Sequence, residues 1–111
     1  MWKIEKTNAF VQKELGNIIL KELDVFPGTL LTITRVECSS NFIEVKVFVS
    51  VIPEDKTEEV FSLLQRNIFN LQQELNKRMK VRPVPKIKFV RETQTAQAAR
   101  VEKALKDIGK R

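Results

Sequence analysis

Seven of the fifteen residues from Lys77 to Arg91 are Lys or Arg, and none is Asp or Glu. Lys77, Arg78, Lys80, Arg82, Lys86, Lys88 and Arg91 are the residues whose types and spacing could do chemistry here. That chemistry is anion recognition. An Arg grips phosphate through a fixed fork of donors, and a Lys supplies a mobile point charge. Like charges this dense repel one another unless something negative sits opposite. Pro83 and Pro85 restrict the backbone between them, which lowers the entropy cost of holding the array ready. A solvated face that only aids solubility is the plainer alternative. The absence of acids from the run and the net charge of +6 favour a polyanionic partner: nucleic acid, an anionic membrane or an acidic protein.

Other chemistries lack their parts. The 111 residues contain no His, so the commonest general base and zinc ligand are missing. Cys38 is the only cysteine. It follows Val36 in an apolar pattern and reads as a small core residue in a reducing, cytosolic compartment. Gly16, Gly28 and Gly109 are isolated, so there is no glycine-rich phosphate loop. Glu54, Asp55, Glu58 and Glu59 could hold magnesium, but acids also gather at helix starts. No catalytic residue, metal ligand or cofactor is expected, and the chain does not read as an enzyme. There is no apolar signal-peptide centre and no run near the ~20 apolar residues of a membrane span. Phe48 and Trp2 are candidates for base stacking. A helix covering Phe48 and an N-terminal anchoring role for Trp2 are the favoured readings. With no aromatic platform, the chain suits RNA shape and backbone better than single-stranded sequence.

The elements that must position the basic run follow from periodicity. Phe10, Val11, Leu15, Ile18, Ile19 and Leu23 recur at spacings of three and four, which predicts a helix from Ile4 to about Leu23. Gly16 within it suggests a place where another element packs close. Pro27 and Gly28 end the helix region. Leu30 to Val51 reads as two strands around a turn at Ser39, Ser40 and Asn41. Ile43, Val45, Val47, Val49 and Val51 alternate onto one face of the second strand. Leu31 and Ile33 have the opposite phase to Val36 and Cys38, so a one-residue bulge near Thr34–Arg35 is expected. A long helix follows, buried through Val60, Leu64, Ile68, Leu71, Leu75 and Met79. At ~36 Å it would overrun a small domain, which predicts a bend between Gln65 and Leu71, near Asn67 and Asn70. Lys86 to Val90 is a third strand, with Ile87 and Phe89 inward and Lys86 and Lys88 outward. A last helix is expected from about Thr95, buried through Ala98, Val101, Ala104, Leu105 and Ile108. The reading is one α+β domain over residues 1–111, with a three-stranded sheet and helices packed on one face.

The stretches LTITRVECSSNFIEVKVFVS and MKVRPVPKIKFVRE, with an Arg-x-Val-Pro-x-Ile-x-Phe centre and the later Arg100-Val101, resemble the ribosome-binding factor A family. The likeness runs from about Lys6 to Ile108. It implies a KH-like fold of the second topological type. It also implies a non-enzymatic RNA-binding factor that associates with the small (30S) ribosomal subunit and assists late 16S rRNA maturation in the cytoplasm. A monomer is expected, with no DNA, membrane or cofactor partner. A KH-like RNA binder acting outside the ribosome, or a basic protein-interaction module, remains the alternative. Three positions depart from the family pattern. Asn67-Ile68-Phe69 stands where the family bends its helix at an Ala-x-Gly step, and Asn41 and Glu92 stand where Asp is usual.

Overall fold

The computed structural model describes residues 2–93. The helix expected from Thr95 and the Arg100-Val101 pair lie outside the described residues. The element order is α1 (Ile4–Glu22), β1 (Leu30–Cys38), β2 (Glu44–Ile52), a single 3-10 turn (Glu54–Lys56), α2 (Thr57–Arg66), α3 (Ile68–Arg78) and β3 (Lys86–Arg91). The sheet order is β1-β2-β3, with β1 antiparallel and β3 parallel to β2. The helices pack on one face of this mixed sheet, giving an α+β fold of KH-like type.

The core is aliphatic. Val11, Leu15 and Ile18 of α1, Val45, Val47 and Val49 of β2, and Leu64, Leu71 and Leu75 of α2 and α3 have no exposed surface. Each fully buried aliphatic side chain contributes about 1.5–3 kcal/mol relative to exposure, so this cluster is the main force clamping helices to sheet. Cys38 is buried with it, as expected, and burial pushes its thiol pKa up.

The bulge falls where the strand phase requires it. The register shifts between Ile33 and Arg35, so Val36 and Cys38 return to the core side already taken by Leu31 and Ile33. The hairpin turn is longer than its sequence suggests. β2 begins at Glu44, so Ile43 belongs to the turn and is 61% exposed rather than joining the valines. Asn41 Oδ1 accepts the Ile43 N–H at 3.1 Å and the Ser39 hydroxyl at 2.7 Å. The amide oxygen thus does there what a carboxylate oxygen could do. Phe42, at φ 60°, takes the left-handed conformation within this turn.

The long helix is interrupted at Asn67, inside the interval expected to bend. Asn67 has φ −107° and ψ 6°, and its side-chain amide donates to the Leu63 carbonyl at 2.8 Å. That bond offers the backbone a partner outside the regular ladder. The break therefore needs no glycine. The sequence after Pro53 starts as a 3-10 turn, and α2 proper begins only at Thr57, whose hydroxyl donates to Glu54 O at 2.7 Å.

Gly16 departs from expectation. Beyond its own helix, a Cβ built there would meet none of the described residues within 4 Å, so no described element packs close.

Candidate nucleic-acid interface

The basic run spans the end of α3, a Pro-framed connection and β3. α3 ends at Arg78, and its last turn carries Lys77 and Arg78, favourably placed against the helix dipole. Residues Lys80 to Pro85 form the connection. β3 then alternates, with Ile87 and Phe89 buried against the helices and Lys86 and Lys88 exposed on the opposite, open face of the sheet.

The seven residues are not equivalent. Lys77 Nζ donates to Glu74 at 3.0 Å, and this hydrogen bond and charge hold the Glu74 carboxyl below its ordinary pKa. Arg78 pairs with Glu14 of α1 at 3.3 Å, joining α3 to α1. Arg82 turns back on the helix end: its guanidinium donates to the carbonyls of Met79 (2.7 Å), Val81 (3.0 Å) and Asn76 (3.2 Å). It satisfies carbonyls that the helix end leaves open and pins the connection. Lys80, Lys86, Lys88 and Arg91 have no acidic partner among the described residues. Arg91 shares the phase of Ile87 and Phe89, so it emerges at the helix side of the sheet rather than with Lys86 and Lys88.

One contributor was not singled out by the sequence pattern of the run. Lys46 of β2 lies opposite Lys88 in the parallel register and is exposed. The signal was available: Lys46 alternates outward from a strand of inward valines, but only strand order places it beside Lys88. Glu37 and Glu44 also sit on this open face, opposite Lys46 and Lys86 respectively. It is therefore mixed in charge, with its excess cations towards β3.

Phe48 is covered, but by an arginine rather than a helix. The Arg35 guanidinium carbon stands 3.9 Å from the ring centroid. Arg35 is held there by Glu37 at 2.7 Å and by Glu92 at 3.3 Å. Glu92 is buried, and the hydroxyl of the bulge residue Thr34 donates to it at 3.0 Å. The acid after β3 thus ties the third strand across β2 to the bulge of β1. Trp2 is an anchor, packed edge-on against Phe10 at 4.9 Å with Lys6 over its ring at 4.7 Å.

Among the described residues no group of three or more His, Cys, Asp or Glu could hold a metal ion, and no helix is long and apolar enough to cross a membrane. The arrangement offers exposed cations on a rigid sheet and turn, a surface suited to oxyanions.

Comparison with known proteins gives that surface a context. The family model of ribosome-binding factor A matches residues 3–105. The chain belongs to the ribosome-binding factor A family. Ribosome-binding factor A of Chlorobium phaeobacteroides is 31% identical over 113 residues, covering 97% of this chain and 95% of its own. That of Bdellovibrio bacteriovorus is 28% identical over 108 residues, covering 96% and 80%. The crystal structure of ribosome-binding factor A from Thermus thermophilus shares the fold. Its TM-score is 0.70 at 24% identity, covering 80% of this chain and 94% of that one. A homology model of the Thermus thermophilus factor, fitted into a cryo-EM map of a 30S complex with it, aligns with a TM-score of 0.66 at 25% identity, covering 80% and 93%.

Proposed function

We propose that this member of the ribosome-binding factor A family binds the small ribosomal subunit through phosphates of its 16S RNA and assists late maturation of that RNA, without catalysing a reaction. It would act as a monomer in the cytoplasm, where small subunits are assembled. The fit of the Thermus thermophilus factor to a 30S complex supports the partner. The observation that carries the residue-level reading is the set of exposed cations without an ion pair among the described residues, Lys80, Lys86 and Lys88, reinforced by Lys46. Arg91 extends it around the edge. Lys77, Arg78 and Arg82 lie on the same segment, but their intramolecular partners must be shared or released before they meet phosphate.

The test is salt-dependent co-sedimentation with immature small subunits, mature subunits and protein-free 16S RNA. Each phosphate contact contributes roughly 0.7–0.9 to the magnitude of the log–log slope of affinity against salt. Replacing Lys80, Lys86 and Lys88 together by Gln should weaken binding and flatten the slope by about two to three units if each meets a phosphate. The melting temperature should hold, since all three are exposed and make no ion pair among the described residues. A folded triple variant with unchanged affinity and slope would show that these charges only solvate the surface. Arg78 and Arg82 are poorer probes, because removing them also breaks the α1–α3 pair and the helix-end contacts.

A further inference from the structure

The other edge of the sheet carries a different surface. Along an edge strand, alternate residues turn their N–H and C=O away from the partner strand. On β1 two of these outward groups are capped by α1: Asn8 Oδ1 accepts the Cys38 N–H at 2.8 Å, and Gln12 Nε2 donates to the Ile33 carbonyl at 3.2 Å. Leu31, two residues before Ile33, has the same outward orientation. The helix position that would cap it is the next along the stripe 8, 12, 16, and it is Gly16.

The missing side chain opens a groove of about 550 Å³ between α1 and β1. Leu20 and Leu30 border it and are 82% and 58% exposed. Thr29 also lines it, and its hydroxyl is buried without a hydrogen-bond partner among the described residues. Among the described residues of the lining, Asp24 is the one that is charged.

We propose that this groove docks an extended, cationic segment of a protein component of the small subunit, which adds as a strand to the Leu30–Ile33 edge. The proposal rests on the function argued above. The backbone of Leu31, which no described side chain caps, asks for an extended chain, and Leu20 and Leu30 ask for apolar side chains on it. The orphaned Thr29 hydroxyl offers a further polar contact. Asp24 selects a Lys or Arg and repels phosphate, so RNA does not suit this edge. A second copy of this chain would bring a second Asp24 and another +6 of charge. The chain's own residues 94–111 place Ala98, Val101, Ala104, Leu105 and Ile108 at the three-and-four spacing of a helix, a poor match to a strand edge.

The experiment places photoreactive p-benzoylphenylalanine at Leu20 of the full chain, bound to purified small subunits, and identifies the cross-linked product. A ribonuclease-resistant product with a subunit protein, mapping to a segment that contains Lys or Arg, is expected. Gly16→Gln extends the capping stripe into the groove and should cut subunit affinity about tenfold. Its affinity for protein-free 16S RNA should stay unchanged, and its melting temperature should be equal or higher. Asp24→Lys should also weaken subunit binding. A cross-link only to RNA, to a second copy or to residues 94–111 overturns the proposal, as does wild-type affinity in Gly16→Gln or tighter binding in Asp24→Lys. If wild-type protein fails to sediment with subunits, the proposed function itself falls, and this inference falls with it. A wild-type protein that sediments while Leu20 yields no cross-link removes this inference alone.

Discussion

The two edges of the sheet solve one problem differently. An unpaired strand edge is a template for association with other chains, and it must be covered, charged or broken. The β3 edge is guarded several ways. Pro83 and Pro85 precede it, Lys86 and Lys88 ride it, and Gln72 of α3 accepts the Ile87 N–H at 2.8 Å while donating to Pro85 O at 3.1 Å. Among the described residues the side-chain caps on the β1 edge are Asn8 and Gln12, and their helix stripe continues to Gly16. One edge is cationic and capped at Ile87 and Pro85; the other borders an apolar groove whose described lining carries Asp24 as its one charge. A small domain can thereby offer two surfaces of different chemistry without a second core.

Both guards depend on helices held by the aliphatic core, so the largest effect should come from there. Leu15→Ala removes a fully buried side chain from the helix that carries Asn8 and Gln12. It should cost about 2–5 kcal/mol in urea unfolding, with cavity and transfer terms both lost. A loss under ~1 kcal/mol would mean that α1 is not clamped as described.

Next in size is the cap on the β3 edge. Gln72→Ala leaves the Ile87 N–H without its partner in a half-buried site and should cost about 1–3 kcal/mol. Gln12→Ala removes a solvent-exposed bond that water can replace, and should cost at most ~1 kcal/mol. If equilibrium denaturation reverses that order, the claimed asymmetry between the edges is wrong.

Gly16→Ala should act in the opposite direction. Beyond its own helix, no described residue lies within 4 Å of the added Cβ, and alanine is about 0.5–1 kcal/mol better than glycine inside a helix. A gain of that order in thermal melting is expected. A destabilised variant would show that the space at Gly16 is already occupied in solution.

The smallest effect belongs to Glu74. Its carboxyl pKa is lowered by Lys77, so the folded state binds fewer protons than the unfolded chain in the window between the two values. The contribution is present above the ordinary carboxylate pKa of ~4.3 and disappears as pH falls through the lowered value. Melting curves of wild type and Glu74→Gln should differ slightly near neutral pH and converge in acid. A gap that widens on acidification would contradict the pairing.

Much of this was legible in the order of residues. Alternating valines can bury only one strand face, so Val45, Val47, Val49 and Val51 declare β2 and its core side. The phase conflict between Ile33 and Val36 has one cheap solution, a bulge, and Thr34 occupies it. Asn67 in mid-helix, with a side chain able to compete for a backbone carbonyl, marks the break. These are local constraints, set within a few residues by sterics and hydrogen bonding. The motifs around Arg82–Phe89 reached further, to the family and to a basic surface.

Tertiary structure alone decided which charges are free. Arg78 meets Glu14, and Glu92 meets Arg35, across separations that no local pattern records. Arg82 looked like a phosphate ligand on a rigid loop, yet its guanidinium reaches the carbonyls at the end of α3. Phe48 was expected to lie under a helix, and the Arg35 guanidinium covers it instead. The exposure of Ile43, the proximity of Lys46 to Lys88 and the empty space at Gly16 are of the same kind. Composition determines how much charge and apolar surface a chain carries. Partnership depends on the distance and orientation of side chains remote in sequence, and those are established only when the helices settle on the sheet.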